Sequence, residues 1–469
     1  MITLTKMAMS ALVLPALLTA ATFSHATNDT YFNTQGTWTQ AYDDQWAIKH
    51  VKIPEAWQLV GKKARPVIVA VIDTGLDWNH KDINWNNIWV NRKEIPDNGR
   101  DDDNNGYVDD IIGWDFYGRH NNPFDHDGHG TFVSGVIAAD TNNGVGIAGI
   151  APNAKIMVLK ALNSFGHSRA SYLAKAITYA ADNGAQVINM SVGGKNLTEI
   201  EQQAINYAHN KGVVIVVAAG NEGIDVSGFG PAGGDKVITV ASTGLNDDHP
   251  SFSNWGKQID IAAPGADILS LRARRTDTMR DIPGVKYQPG LAYVGDDKRY
   301  YRASGTSFSA PIVTGIVSLM LSKNPSLTPD QVKTLLQQTA KDVDIPGFDQ
   351  YTGYGLVDAA AALKAKPGFF IEALIDRVQV VNVDGGPAVQ IIGSVDANKL
   401  RKATISIGAG EDPQRWTTVI KSIKKPVKNG ALGTVKANHF RGSAVWMLRL
   451  EVHHKNGQTR EFRFRLALG

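Results

Sequence analysis

Three short motifs, far apart in the chain, hold the residue types that nucleophilic catalysis needs. Val71-Ile72-Asp73-Thr74-Gly75 ends an apolar run on a carboxylate, His129-Gly130-Thr131 supplies an imidazole, and Gly305-Thr306-Ser307-Phe308-Ser309-Ala310-Pro311 supplies a hydroxyl. A serine hydroxyl is a weak nucleophile until an imidazole takes its proton, and a carboxylate fixes that imidazole's tautomer. Each motif alone has a bland reading: Asp73 as a turn residue, His129 as a loop residue, Gly-Thr-Ser as a helix cap. Their joint occurrence favours chemistry.

Two other clusters compete. Asn189-Met190-Ser191-Val192-Gly193 nearly fits the Gly-x-Ser-x-Gly elbow of an esterase, but its first glycine is Asn. Asp125-His126-Asp127-Gly128-His129 offers metal-capable side chains, yet a zinc hydrolase leaves Ser307 unexplained. A separate run, Asp101-x-Asp103-x-Asn105-Gly106-x-x-Asp109-Asp110, follows the spacing of a calcium loop. It makes Asp101, Asp103, Asn105, Tyr107, Asp109 and Asp110 candidate ligands, although Ile112 stands where an EF-hand has Glu. Crowded carboxylates repel one another without a cation.

The elements around these motifs set their geometry. Pro66–Ile72, Lys155–Lys160, Val187–Met190, Val213–Ala219 and Val237–Ala241 read as buried strands. Ser171–Asn183 and Glu199–Asn210 between them have helical periodicity. The alternation predicts an α/β fold, a doubly wound and mostly parallel sheet whose ligands bind beyond the strands' carboxyl ends. Asp73 and Asn221 fall there. Ser307 opens a helix running to Leu321, with Pro311 expected in its first turn. Lys364–Gly368 reads as a linker. Beyond it, Phe369–Val383, Val389–Val395, Ala403–Ile407, Trp416–Ile423, Ala444–Val452 and Thr459–Leu466 alternate as short strands of an all-β sandwich.

The chain has 469 residues, 43% apolar and 20% charged, enough for two or three packed domains. No cysteine occurs, which excludes disulfides, thiol catalysis and thiolate metal sites. Residues 368–469 hold 16 Lys or Arg against 8 Asp or Glu, a net of +8, which leaves −5 elsewhere from a total of +3. That surplus points to docking on the acidic remainder or to anionic cell-surface polymers, with a solubilising spacer as the bland alternative; no aromatic-basic motif for nucleic acid accompanies it. Adjacent His453 and His454 would face opposite sides of a strand and make a poor metal site. Residues 1–26, with Lys6, an apolar run and Ser24-His25-Ala26, read as a secretory signal peptide, so the mature protein is expected outside the cell. No segment reaches membrane-spanning length. The expected domains are 27–365, catalytic, and 366–469, the sandwich.

Across 28–365 the sequence resembles the subtilisin-like serine proteases, and closely their thermitase-like branch. The motifs are Asp73-Thr-Gly, His129-Gly-Thr, Ser191-Val-Gly-Gly194, Ala218-Ala-Gly-Asn-Glu222, Ile261-Ala-Ala-Pro-Gly265, Gly305-Thr-Ser-Phe-Ser-Ala-Pro311 and Gly353-Tyr-Gly-Leu-Val-Asp358. The resemblance implies an endopeptidase in which Ser307 attacks, His129 is base then acid, Asp73 orients it and Asn221 donates to the oxyanion. It implies that Gly166, His167 and Ser168, with Ser191, Val192 and Gly193, pair with an extended substrate backbone. Ala218, Ala219 and Gly220 would line a pocket for a bulky apolar residue, giving broad specificity. It also implies a second calcium site with side chains from Asp29, Asp82 and Asn143 and carbonyls from Thr141, Val145 and Ile147. Phe132 departs from a frequent second histidine, and the basic segment Arg272–Arg302 is an addition. The rival from another class is a catalytically silent binding protein or adhesin on the same scaffold.

Overall fold

The computed structural model describes residues 27–61, 64–274, 276 and 292–468; the expected signal peptide lies outside these residues. The first part of the chain forms α1 (Trp46–His50), α2 (Ile53–Val60), β1 (Val67–Asp73), β2 (Gly113–Asp115), α3 (His129–Ala138), β3 (Ala154–Lys160), α4 (Ala170–Asp182) and β4 (Val187–Met190). There follow α5 (Glu199–Asn210), β5 (Val214–Ala218), β6 (Ile238–Thr243), β7 (Ile261–Pro264), β8 (Ile268–Leu271), β9 (Tyr293–Val294), β10 (Tyr300–Ala303), α6 (Thr306–Lys323), α7 (Pro329–Thr339) and α8 (Ala359–Lys364).

Seven of the strands make one parallel sheet in the order β2-β3-β1-β4-β5-β6-β7. The β1 run Val-Ile-Val-Ala-Val-Ile-Asp is apolar on both faces because both faces are covered. One face packs against α3, α6, α7 and α8, the other against α4 and α5. Every residue of α6 except Lys323 is buried, as its all-round apolar sequence requires. The chain leaves β1 for β2 and β3 on one side and β4 to β7 on the other. A crevice therefore opens beyond Asp73. Among the described residues, no helix is long and apolar enough to cross a membrane.

The C-terminal region contains β11 (Ile371–Val383), β12 (Gly386–Ala397), β13 (Leu400–Ala409), β14 (Thr417–Ile423), β15 (Val427–Lys436), β16 (Val445–His454) and β17 (Thr459–Ala467). They form two antiparallel sheets, β11-β12-β15 and β14-β13-β16-β17, closed on one apolar core. Alternation is clear in β16, where Trp446, Leu448, Leu450 and Val452 are buried. The sheets hold one strand more than the sequence pattern predicted. The extra strand, β15, carries Asn429, Gly430 and Gly433, turn-type residues that sit where its register with β12 shifts.

This region rests on the first. Ile371 N donates to Gln338 Oε1 at 2.9 Å, and Arg460 Nη2 to the Gln337 carbonyl at 2.8 Å. The Arg460 guanidinium lies 4.5 Å from the Tyr354 ring centroid, and Phe348 packs on the C-terminal core.

Candidate active site

Asp73 ends β1 with no exposed surface. Its Oδ1 accepts from Thr74 N at 2.7 Å, and its carbonyl accepts from Ala161 N and Leu162 N just past β3. His129 is the first residue of α3, and its Nδ1 lies 2.8 Å and 3.0 Å from the two Asp73 oxygens. The glycines of both motifs serve this approach. A Cβ on Gly130 would lie 2.3 Å from the Gly75 carbonyl oxygen, and one on Gly75 (φ +116°) 2.4 Å from that of Pro123. Burial alone would lower the imidazole pKa. The Asp73 charge and hydrogen bond outweigh it, Asp127 and Asp125 add to them, and the value rises to about 9. Burial also pushes Asp127 up, to about 6, against the opposing His129 charge.

Ser307 is the second residue of α6, at its positive end. Its Oγ donates to the Ser191 carbonyl at 3.3 Å rather than to the imidazole. The next ring, Phe308, lies 5.8 Å from that of His129 and 4.3 Å from that of Phe132. Phe132 is thus fully buried core behind the imidazole. Pro311 lies inside the helix, in its second turn, not in the first turn as expected. Its missing N–H leaves the Ser307 carbonyl open, and Ser191 Oγ donates to that oxygen at 2.7 Å.

Asn221 follows β5. Its Oδ1 accepts from Thr306 N at 2.8 Å and Thr306 Oγ1 at 3.0 Å, which fixes the amide and leaves Nδ2 beside Gly305. Among the described residues Nδ2 has no acceptor, so it is free to bind an anionic oxygen near Ser307. Gly220 N donates to Thr306 Oγ1 at 3.0 Å, and Ala218, Ala219 and Gly220 are all buried. Ser191, Val192 and Gly193 leave β4 at the same sheet rim, with Gly193 exposed. Gly166 and His167 are exposed beyond β3, and Ser168 Oγ holds that loop to the Ala161 carbonyl at 2.7 Å. Neither competing cluster gathers a centre of its own. Ser191 Oγ serves the Ser307 carbonyl and Asn189 Nδ2, while His126 is exposed beside the Phe124 ring.

The acidic run divides. Asp101 and Asp103 bring carboxylate oxygens within 4.8 Å of each other and of buried Glu94. No spacing template pointed to Glu94. Asp109 instead accepts from Asn98 N and Gly99 N at 3.1 Å and 2.9 Å. Asp110 accepts from Asn91 and Asn105 amides at 2.8 Å and 2.9 Å and from the Tyr179 hydroxyl. The Tyr107 ring packs among Trp114, Phe116 and Tyr179. At the second place, Asp29 and Asp82 are both fully buried. Asp29 accepts from Asn142 N at 2.8 Å and Asn143 N at 3.1 Å; Asp82 accepts from Asn143 Nδ2 at 2.8 Å and Ile147 N at 2.9 Å. Asn143 Oδ1 takes Val145 N at 2.9 Å, and Thr141 Oγ1 takes Gly149 N at 3.0 Å. Burial, with Asp29 adding, pushes the Asp82 pKa up to about 7.

The comparisons agree with this geometry. The subtilase family model matches residues 64–355. A thermophilic serine proteinase of Bacillus sp. (strain AK1) is 36% identical over 336 residues, covering 72% of this chain and 69% of that protein. Thermitase of Thermoactinomyces vulgaris is 33% identical over 338 residues, 72% of this chain and 99% of that protein. Among solved structures, a protease of Pseudoalteromonas arctica PAMC 21717 aligns with a TM-score of 0.54 and 29% identity, over 72% of this chain and 98% of that one. The α/β sheet, the motifs at its rim and these relatives together make the chain a serine endopeptidase of the subtilase family.

Proposed function

We propose that Ser307, His129 and Asp73 are the catalytic triad and that the enzyme cleaves polypeptides through an acyl-enzyme. Ser307 Oγ attacks the scissile carbonyl as His129 takes its proton. His129 then protonates the leaving amine, and Asp73 holds its tautomer and stabilises the imidazolium. Asn221 Nδ2 and the Ser307 N–H stabilise the tetrahedral oxyanion. The single observation that carries this reading is the 2.8 Å bond from His129 Nδ1 to buried Asp73, beside the α6 terminus that presents Ser307. The Ser191 bond of Ser307 Oγ is compatible with it, because such contacts tighten when substrate binds.

The reading extends to Gly166–Ser168 and Ser191–Gly193 as backbone-pairing segments and to Ala218–Gly220 as the wall of a pocket for a large apolar side chain. It extends to domain limits at 1–26, 27–365 and 366–469, to export, and to a +8 C-terminal domain available to anionic cell-surface polymers. Two calcium ions belong to it as well. Buried Asp29 and Asp82 have no ion-pair partner among the described residues, and a hard cation held by oxygen ligands removes that cost. Asn143 would join them with its side chain, and Thr141, Val145 and Ile147 with carbonyls; Glu94, Asp101 and Asp103 would hold the other ion. The test is hydrolysis of denatured protein by the full chain. Ser307→Ala should abolish it with no change in folding; undiminished hydrolysis by that variant would sink the reading.

A further inference from the structure

Resting on that triad, one buried carboxylate has no part in the chemistry yet touches both of its fixed members' segments. Asp125 is fully buried and forms no ion pair among the described residues. Its Oδ1 accepts from Thr74 Oγ1 at 2.9 Å, Asp127 N at 2.9 Å and Gly128 N at 2.8 Å. Its Oδ2 accepts from Thr131 N at 2.9 Å and Thr131 Oγ1 at 2.6 Å. Thr74 adjoins Asp73, and its Oγ1 also accepts from Gly130 N, the residue after His129, at 2.8 Å.

The helix that carries His129 needs such a partner. Its N-cap is Gly128, which has no side chain to satisfy the first amides. Asp125 supplies that acceptor from three residues upstream and places an anion at the helix's positive end. The Oδ1 of the same carboxylate reaches across to Thr74 at the end of β1, while Oδ2 holds Thr131 of α3. One carboxylate therefore sets both where α3 begins and how far it stands from Asp73.

We propose that Asp125 is a positioning residue that pins the His129 helix to the Asp73 strand, fixing the Asp–His pair in its working geometry. The other charged groups around the pair are Asp73 on β1, Asp77 just beyond it, Lys160 at the end of β3, Asp127 in the same loop, and Arg274 and Arg299 on Asp77. Apart from Asp73, itself a member of the pair, no charged side chain among them bonds both segments as Asp125 does.

The experiment compares three variants of the full chain on a chromogenic peptide. Asp125→Asn keeps the size, removes the charge and turns an NH2 onto at least one existing donor. It should lower kcat about 10²-fold, the cost of misplacing a reacting group by about 1 Å, while KM changes by less than about 3-fold. Losing its negative charge should also move the acid limb of kcat/KM to lower pH, which a general loss of stability would not do. Thr74→Val keeps the charge but cuts the link, so kcat should fall with the limb unmoved, and Thr74→Ser should restore kcat. Wild-type kcat and pH limb in folded Asp125→Asn overturn the proposal. If that variant does not fold, wild-type kcat in Thr74→Val overturns it. Labelling by diisopropyl fluorophosphonate separates the two failures. An unlabelled wild type contradicts the triad itself, whereas equal labelling rates in wild type and Asp125→Asn contradict only the role of Asp125.

Discussion

Ser307 owes its setting to a residue four positions on. Pro311 cannot donate to the Ser307 carbonyl, and Ser191 fills the gap, tying the start of α6 to the end of β4. Asn221 is held from the other side by Thr306, so its amide nitrogen needs no reorganisation when charge develops. Asn221→Ala should therefore lower kcat about 10²–10³-fold with little change in KM. A loss confined to KM in steady-state assays would remove Asn221 from the oxyanion site. The pH profile follows from the carboxylates around His129. A base with a raised pKa is neutral only at higher pH, so the acid limb of kcat/KM should have its midpoint above about 6.5, the ordinary imidazole value. A midpoint at or below that value would mean that Asp73 does not stabilise the imidazolium as its geometry implies.

The motif-bearing elements lie between longer loops that are themselves tied down. The described part of the basic segment before Ser307 is one of them. Within it, Arg274 Nε and Arg299 Nη2 both lie 3.2 Å from Oδ2 of fully buried Asp77, while Arg275 and Arg280 fall outside the described residues. β8 presses on α3, where Ser270 Oγ donates to the Phe132 carbonyl at 2.7 Å. The proposed calcium loop around Asp82 yields a signed prediction. Its folded pKa of about 7 exceeds the unfolded value near 3.9, so between them the folded state holds more protons and stability falls as pH rises. Calcium-stripped protein should have a lower Tm than calcium-loaded protein, and the gap should be wider at pH 8 than at pH 5.5. An equal gap at both pH values would place the ion elsewhere. Much of this level was legible in the sequence, because buried parallel strands are apolar runs and α5 begins with a capping box, Thr198 to Glu201. The misses have physical causes. β15 hides behind Asn429, Gly430 and Gly433, residues that mark turns as often as bulges. Glu94 and Asp125 make contacts that no linear spacing encodes; the sequence pattern gives no sign of the first and offers the second only as a metal-capable side chain.

At the scale of the molecule, the two parts meet through specific contacts. Arg460 reaches Gln337, Ile371 reaches Gln338, and a Cβ on Gly347 (φ +95°) would lie 2.5 Å from the Glu461 carbonyl oxygen. A chain ending at Ala365 should still cleave peptides but lose activity on heating at least about 5-fold faster, since each net hydrogen bond lost costs about 1 kcal/mol. An unchanged half-life would mean that the docking contributes nothing to stability. The central claim also belongs to this scale: segments 56 and 178 positions apart in the sequence, from Asp73 to His129 and from His129 to Ser307, build one reactive centre. Its most direct measurement is the mass of the adduct formed by a fluorophosphonate with the folded, calcium-loaded full chain. The account predicts one adduct per chain, on Ser307, with its formation greatly slowed in His129→Ala. No adduct on folded protein, or one carried by Ser191, would contradict it.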